Sequence, residues 1–134
     1  MAETTLPDRS GDHPRVLVVD DSVDYREAIG MWLERHGYAV ILAGDGAEGL
    51  EAAADYAPDA ILMDISMPVL DGVSATARLK ASASGLAAIP VIGFTAHPFA
   101  SIEARAKAAG MVGVFAKQGL RDLLAALRRV VSER

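Results

Sequence analysis

Short runs of uninterrupted apolar residues alternate along this chain with segments whose apolar positions recur every three or four residues. Val16 to Val19 is such a run, closed by Asp20 and Asp21, and its lack of polar alternation predicts a strand buried on both faces. Tyr25, Ala28, Ile29, Trp32, Leu33 and His36 then fall on one stripe of an amphipathic helix. Ser22 or Asp24 can cap its start, and Gly37 is placed to end it. Tyr38 to Ala43 reads as a second strand, and Gly44-Asp45-Gly46 turns the chain into a helix that runs through Leu50 and Ala54 to near Pro58. Ala60 to Met63 is a third strand with Asp64 at its C-terminal end. Met67-Pro68 forces a loop, since proline disfavours helical geometry in the residue before it, and Asp71 is placed to cap a third helix.

The pattern continues to the end of the chain. Ala81 to Ala88, small residues with two serines and Gly85, reads as a connection. Val91 to Phe94 is a fourth strand ending at Thr95, followed by a helix from about Phe99 to Ala109 that stops at Gly110. Gly113 to Ala116 is a fifth strand ending at Lys117, and Leu120, Leu123, Leu124, Leu127, Val130 and Val131 form the apolar stripe of a last helix. Five strands alternating with five helices imply an α/β domain with a parallel sheet covered on both faces.

Composition narrows the function. At 134 residues the chain fits one domain, and with 51% hydrophobic residues it can bury a core without staples. Cysteine is absent, which excludes disulfides, thiolate metal sites and cysteine catalysis. A net charge of −5 makes nucleic acid a poor partner, and Arg121, Arg128, Arg129 and Arg134 read as a solvated helix face near the helix C-terminus. No apolar run approaches the ~20 residues needed to cross a bilayer, so no membrane partner is expected. Met1 to Pro14 is polar and mixed in charge, and is read as a disordered leader (residues 1–14) to a domain over residues 15–134.

In open parallel sheets ligands bind beyond the carboxyl ends of the strands. Here those ends carry Asp20, Asp21, Asp64, Thr95 and Lys117. Neighbouring carboxylates repel and stay ionised together only beside a cation, and an all-oxygen set suits a hard ion such as Mg²⁺. A carboxylate beside that ion can act as a nucleophile in phosphoryl transfer, with Lys117 offsetting charge and Thr95 donating a hydrogen bond.

VLVVDDS (Val16 to Ser22), DISMPVLDG (Asp64 to Gly72), GFTA (Gly93 to Ala96) and FAK (Phe115 to Lys117) resemble, in order and spacing, the four signature blocks of response-regulator receiver domains. The expected architecture is then a doubly wound, flavodoxin-like α/β fold with strand order 2-1-3-4-5. The resemblance implies Asp64 as phosphoacceptor, with Asp21 a direct Mg²⁺ ligand and Asp20 holding the ion mainly through water. The backbone carbonyl of Ser66 would be a further ligand, and Thr95 and Lys117 would bind phosphoryl oxygens. It further implies a phosphohistidine donor on a sensor histidine kinase or histidine phosphotransfer protein, and self-catalysed phosphorylation with slow dephosphorylation rather than conventional turnover. A cytoplasmic location is expected, with a protein target docking on the fourth helix, fifth strand and fifth helix. The side chains of Ser66 and His97 would tune the phosphoryl lifetime.

Two positions depart from the family pattern. Gln118 stands where proline usually follows the lysine; a cis bond before a non-proline residue costs ~2.5–4 kcal/mol, so a trans bond and a reshaped loop are expected. Val114 stands where the family usually carries a switching aromatic, and Phe115, one residue on, points to the opposite face of a strand and cannot replace it. Two rival functions follow: a pseudo-receiver that never takes phosphate, and an aspartate-dependent phosphohydrolase of haloacid-dehalogenase type. The second needs an acid where Ser22 stands.

Overall fold

The computed structural model describes residues 13–67, 70–82, 85–96 and 100–132. Five strands, β1 (Arg15–Val19), β2 (Ala39–Ala43), β3 (Ala60–Asp64), β4 (Val91–Thr95) and β5 (Gly113–Ala116), alternate with α1 (Val23–Arg35), α2 (Gly46–Tyr56), α3 (Gly72–Lys80), α4 (Ala100–Ala109) and α5 (Leu120–Ser132). They form one parallel sheet in the order β2-β1-β3-β4-β5, as expected. The chain passes from β1 to β2 on one side and crosses to β3 on the other, so the sheet's switch point lies between the ends of β1 and β3.

Strand alternation splits the core into two layers. Leu17, Val19, Ile61, Met63 and Val91 point toward Ala53 of α2, Ala75 and Leu79 of α3 and Ala106 of α4. Val16, Val18, Leu62, Ile92 and Phe94 point the other way, toward Ile29 and Leu33 of α1 and Leu123 and Leu127 of α5. The residues of β1, β3 and β4 are all buried, which is why their sequences show no polar alternation.

The helix starts are set by side chains in the loops. Ser22 Oγ accepts from the Tyr25 amide at 3.3 Å, so serine rather than Asp24 is the cap of α1. Asp45 and Asp71 accept from Glu48 and Ser74 amides at 2.8 and 2.9 Å. Gly37, at φ 93°, takes the left-handed turn that ends α1.

Three expectations need adjustment. The buried stripe of α1 is Ile29, Gly30 and Leu33, with Tyr25 and Trp32 half-buried and Ala28 and His36 exposed. The helix leans on β2 at Gly30, where a Cβ would lie 3.3 Å from Leu42. The connection after α3 contains a 3₁₀ turn, Gly85–Ala88, tethered by Lys80 Nζ on the Ala87 and Ile89 carbonyls (3.1 and 2.6 Å). β2 begins at Ala39 rather than Tyr38. Most of the expected leader (residues 1–12), Pro68 and the Phe99 start of the fourth helix lie outside the described residues.

Candidate functional site

Asp20 leaves the end of β1 fully buried. Its amide donates to the Ala43 carbonyl at 3.1 Å, its own carbonyl accepts from Arg26 Nη1 at 2.9 Å, and its Oδ1 accepts from the Ser22 amide at 2.8 Å. The side chain is thereby aimed across the strand ends, while Asp21 beside it is exposed. Asp64 is the last residue of β3 and is 3% exposed, with Oδ1 accepting from the Ser66 amide at 3.2 Å. Its backbone is backed by Gly72 at the start of α3: a Cβ there would run into the Asp64 carbonyl. Thr95 ends β4, buried, and its carbonyl accepts from the Lys117 amide at 2.9 Å.

Lys117 Nζ lies 2.8 Å from Asp20 Oδ2 and 3.4 Å from Asp64 Oδ2. The first is a close ion pair, and Lys117 is the partner of a buried Asp20 Oδ2 that has no other donor among the described residues. Asp20, Asp21 and Asp64 each offer a carboxylate oxygen, all within 4.8 Å of one another. Three carboxylates this close, with a single ammonium among them, fit a hard divalent cation. Asp21, Asp64, Ser66, Thr95 and Lys117 line an open cleft of about 410 Å³, whose apolar wall is Ala96 and Ile102.

Burial pushes the Asp64 carboxyl up to about 6, the neighbouring Asp20 charge adds to this, and Lys117 and the Ser66 amide partly offset it. For Lys117 burial works against the charge, but Asp20 and Asp64 more than compensate and hold the ammonium above lysine's ordinary value.

The structure thus brings Asp20, Asp21, Asp64, Thr95 and Lys117 to one edge of the sheet, with Ser66 exposed at its mouth. His97 lies outside the described residues. Val114 packs in the α2–α4 layer and Phe115 in the α1–α5 layer, on opposite faces of β5 as the strand period requires. Among the described residues there is no cis peptide, so the bond before the exposed Gln118 is trans.

One residue beside the site was not apparent as such from the sequence. Tyr25, read there only as part of the α1 stripe, donates its hydroxyl to the Lys117 carbonyl at 3.0 Å and lies under the Lys117 ammonium, 4.6 Å from ring centroid to Nζ. Burial and the Asp20 and Asp64 charges push its phenol up to about 12, so it stays a neutral donor. Its contact spans 92 positions in sequence, and helical periodicity carries no signal for that.

Residues 16–128 match the response regulator receiver domain, and the chain belongs to that family. It is 36% identical over 118 residues to response regulator MprA of Mycobacterium sp. strain KMS, covering 87% of this chain and 50% of MprA. The chain spans half or less of the length of the curated relatives it matches. Chemotaxis protein CheY4 of Vibrio cholerae has the same fold, with a TM-score of 0.81 at 31% identity over 88% of this chain and 98% of CheY4. So does the receiver domain of sensor histidine kinase PA1611 from Pseudomonas aeruginosa PAO1, solved with a magnesium ion coordinated in its active-site cleft: its TM-score is 0.80 at 33% identity, over 90% of this chain and 98% of that one. Among the described residues no helix is long and apolar enough to cross a membrane.

Proposed function

We propose that this receiver domain accepts a phosphoryl group on Asp64 from a phosphohistidine, on a sensor histidine kinase or a histidine phosphotransfer protein, and signals by docking to a protein target. The observation that carries the reading is the buried Asp64 carboxylate at the sheet's switch point, with Asp20 and Asp21 within 4.8 Å and Lys117 at 3.4 Å. An Asp64 oxygen attacks the phosphorus, a P–O bond forms as the P–N bond breaks, and the departing imidazole takes up a proton. Hydrolysis reverses the state: water attacks the acyl phosphate, phosphate leaves and the carboxylate is restored. The domain therefore acts as a phosphoacceptor with slow self-dephosphorylation rather than as a turnover enzyme.

Asp20, Asp21, Asp64 and the Ser66 carbonyl would hold Mg²⁺, which supplies positive charge for phosphoryl oxygens. Lys117 neutralises charge on the incoming group and Thr95 offers its hydroxyl from the cleft wall. Ser66 and His97 are assigned to tuning the phosphoryl lifetime. The signal passes through the surface of α4, β5 and α5, and the protein works in the cytoplasm, away from nucleic acid and membrane. A haloacid-dehalogenase-type reading fits less well, because the position it needs for an acid is Ser22, whose hydroxyl caps α1.

Intact mass after incubation with acetyl phosphate, with and without Mg²⁺, tests the proposal. One phosphoryl adduct is expected with Mg²⁺, and none in Asp64→Asn. No adduct with any donor or divalent metal would make this domain an interaction module that never takes phosphate.

A further inference from the structure

Lys117 is the only cation among the described groups that reaches both Asp20 and Asp64, and it is mounted on a weak base. It follows β5, the four-residue outer strand whose residues are all half-buried, and it precedes the exposed Gln118. A lysine side chain has several rotatable bonds, so its ammonium reaches a defined place only if something orders it. Tyr25 touches it at both ends. The hydroxyl holds the main-chain carbonyl at 3.0 Å, and the ring lies 4.6 Å below the ammonium. The ring is itself seated on Phe94, fully buried in β4, at 5.8 Å between centroids and 27° between planes. Phe94 also lies 5.3 Å from the ammonium.

We propose that Tyr25 is the positioning residue of Lys117, fixing the lysine's backbone with its hydroxyl and its ammonium with its ring. This rests on the phosphoacceptor reading given above. Tyr25 belongs to the same short segment as Asp20, Asp21 and the capping Ser22, so the stretch of chain that presents the acids also sets where the distant cation stands. Anchoring both to one helix start keeps cation and carboxylates in register although they come from different strands. A tyrosine that merely filled space on α1 would need neither the hydroxyl contact nor the alignment of its ring with the amine.

Two substitutions in the full chain separate the parts. Tyr25→Phe keeps the ring and removes the hydroxyl; Tyr25→Leu removes both while keeping an apolar side chain. Two readouts are taken. The first is the ¹H shift of the Lys117 ε-methylene without donor, which the ring current moves upfield in the wild type. The second is the rate of Mg²⁺-dependent phosphoryl addition from acetyl phosphate, with a urea melt to establish folding. Tyr25→Phe should keep the upfield shift and lose about threefold in rate, and Tyr25→Leu should lose the shift and about tenfold in rate. A Lys117 shift unchanged in Tyr25→Leu overturns the proposal, as do wild-type rates in both folded variants. If Tyr25→Leu does not fold, Tyr25→Phe decides: an unaltered rate overturns the hydroxyl's role. If the wild type itself takes no phosphoryl group, the phosphoacceptor reading fails, and the shift still reports whether the Tyr25 ring lies against the Lys117 side chain.

Discussion

Replacing Asp64 by asparagine should stabilise the metal-free protein. Asp64 is buried beside the charge of Asp20, and its carboxyl is pushed from the usual 3.8 to about 6. The folded state then binds more protons than the unfolded chain between those two pH values. The contribution of Asp64 to wild-type stability therefore falls as pH rises from about 4 to about 6 and is level above that. The displacement is about 2 pH units, each worth about 1.4 kcal/mol, which sets an upper value near 3 kcal/mol. Asparagine also gives up the 3.4 Å contact with Lys117, although the lysine keeps its 2.8 Å contact with Asp20. We expect Asp64→Asn to gain about 1–3 kcal/mol at pH 7.5 in the presence of a chelator, and almost nothing at pH 4. Urea melts of both proteins from pH 4 to 8, followed by circular dichroism, measure the gap. Saturating Mg²⁺ should shrink it or reverse its sign, because a bound cation favours the ionised wild-type site. A gap that does not vary with pH, or a wild type more stable than the variant above pH 6 in chelator, would refute the reasoning.

Two further outcomes are expected. Gly72→Ala drives a methyl group into the Asp64 carbonyl and against Met63; it should cost about 1–3 kcal/mol in a urea melt and lower the phosphoryl-addition rate more than a substitution at the exposed Ala77 does. Loading the site with beryllium fluoride and Mg²⁺ should leave the aromatic NMR signals of Phe115 nearly unmoved, since that ring packs in the α1–α5 layer while Thr95 and Val114 belong to the other face. A large inward movement of the ring would contradict this.

The strand ends were legible in the sequence because β1, β3 and β4 are buried on both sides, and uninterrupted apolar runs leave few alternatives. The opposed directions of Val114 and Phe115 follow from a period of two, which needs no tertiary knowledge. What escaped was settled by partners far along the chain or by local geometry. The 3₁₀ turn at Gly85–Ala88 is held by the Lys80 amine, not by the propensity of its small residues. Ala28 and His36 fit the helical stripe but face solvent, since α1 leans toward β2 at Gly30, where the absent side chain allows close approach. Tyr25 matched the stripe equally well, and only the fold discloses that it reaches Lys117.

The half-buried outer strand β5 has a consequence for how the cleft fluctuates. Asp20 and Asp64 hang from inner strands whose residues are all buried, whereas Lys117 hangs from the border of the sheet. Partial openings begin where burial is least, so amide exchange should be faster along β5 than along β1 and β3. An opening wide enough to break the Tyr25 contacts would withdraw the ammonium and leave the carboxylates in place. Such an opening would turn a cleft with one ammonium among three carboxylates into a wholly anionic one without disturbing the interior, the form most receptive to a cation.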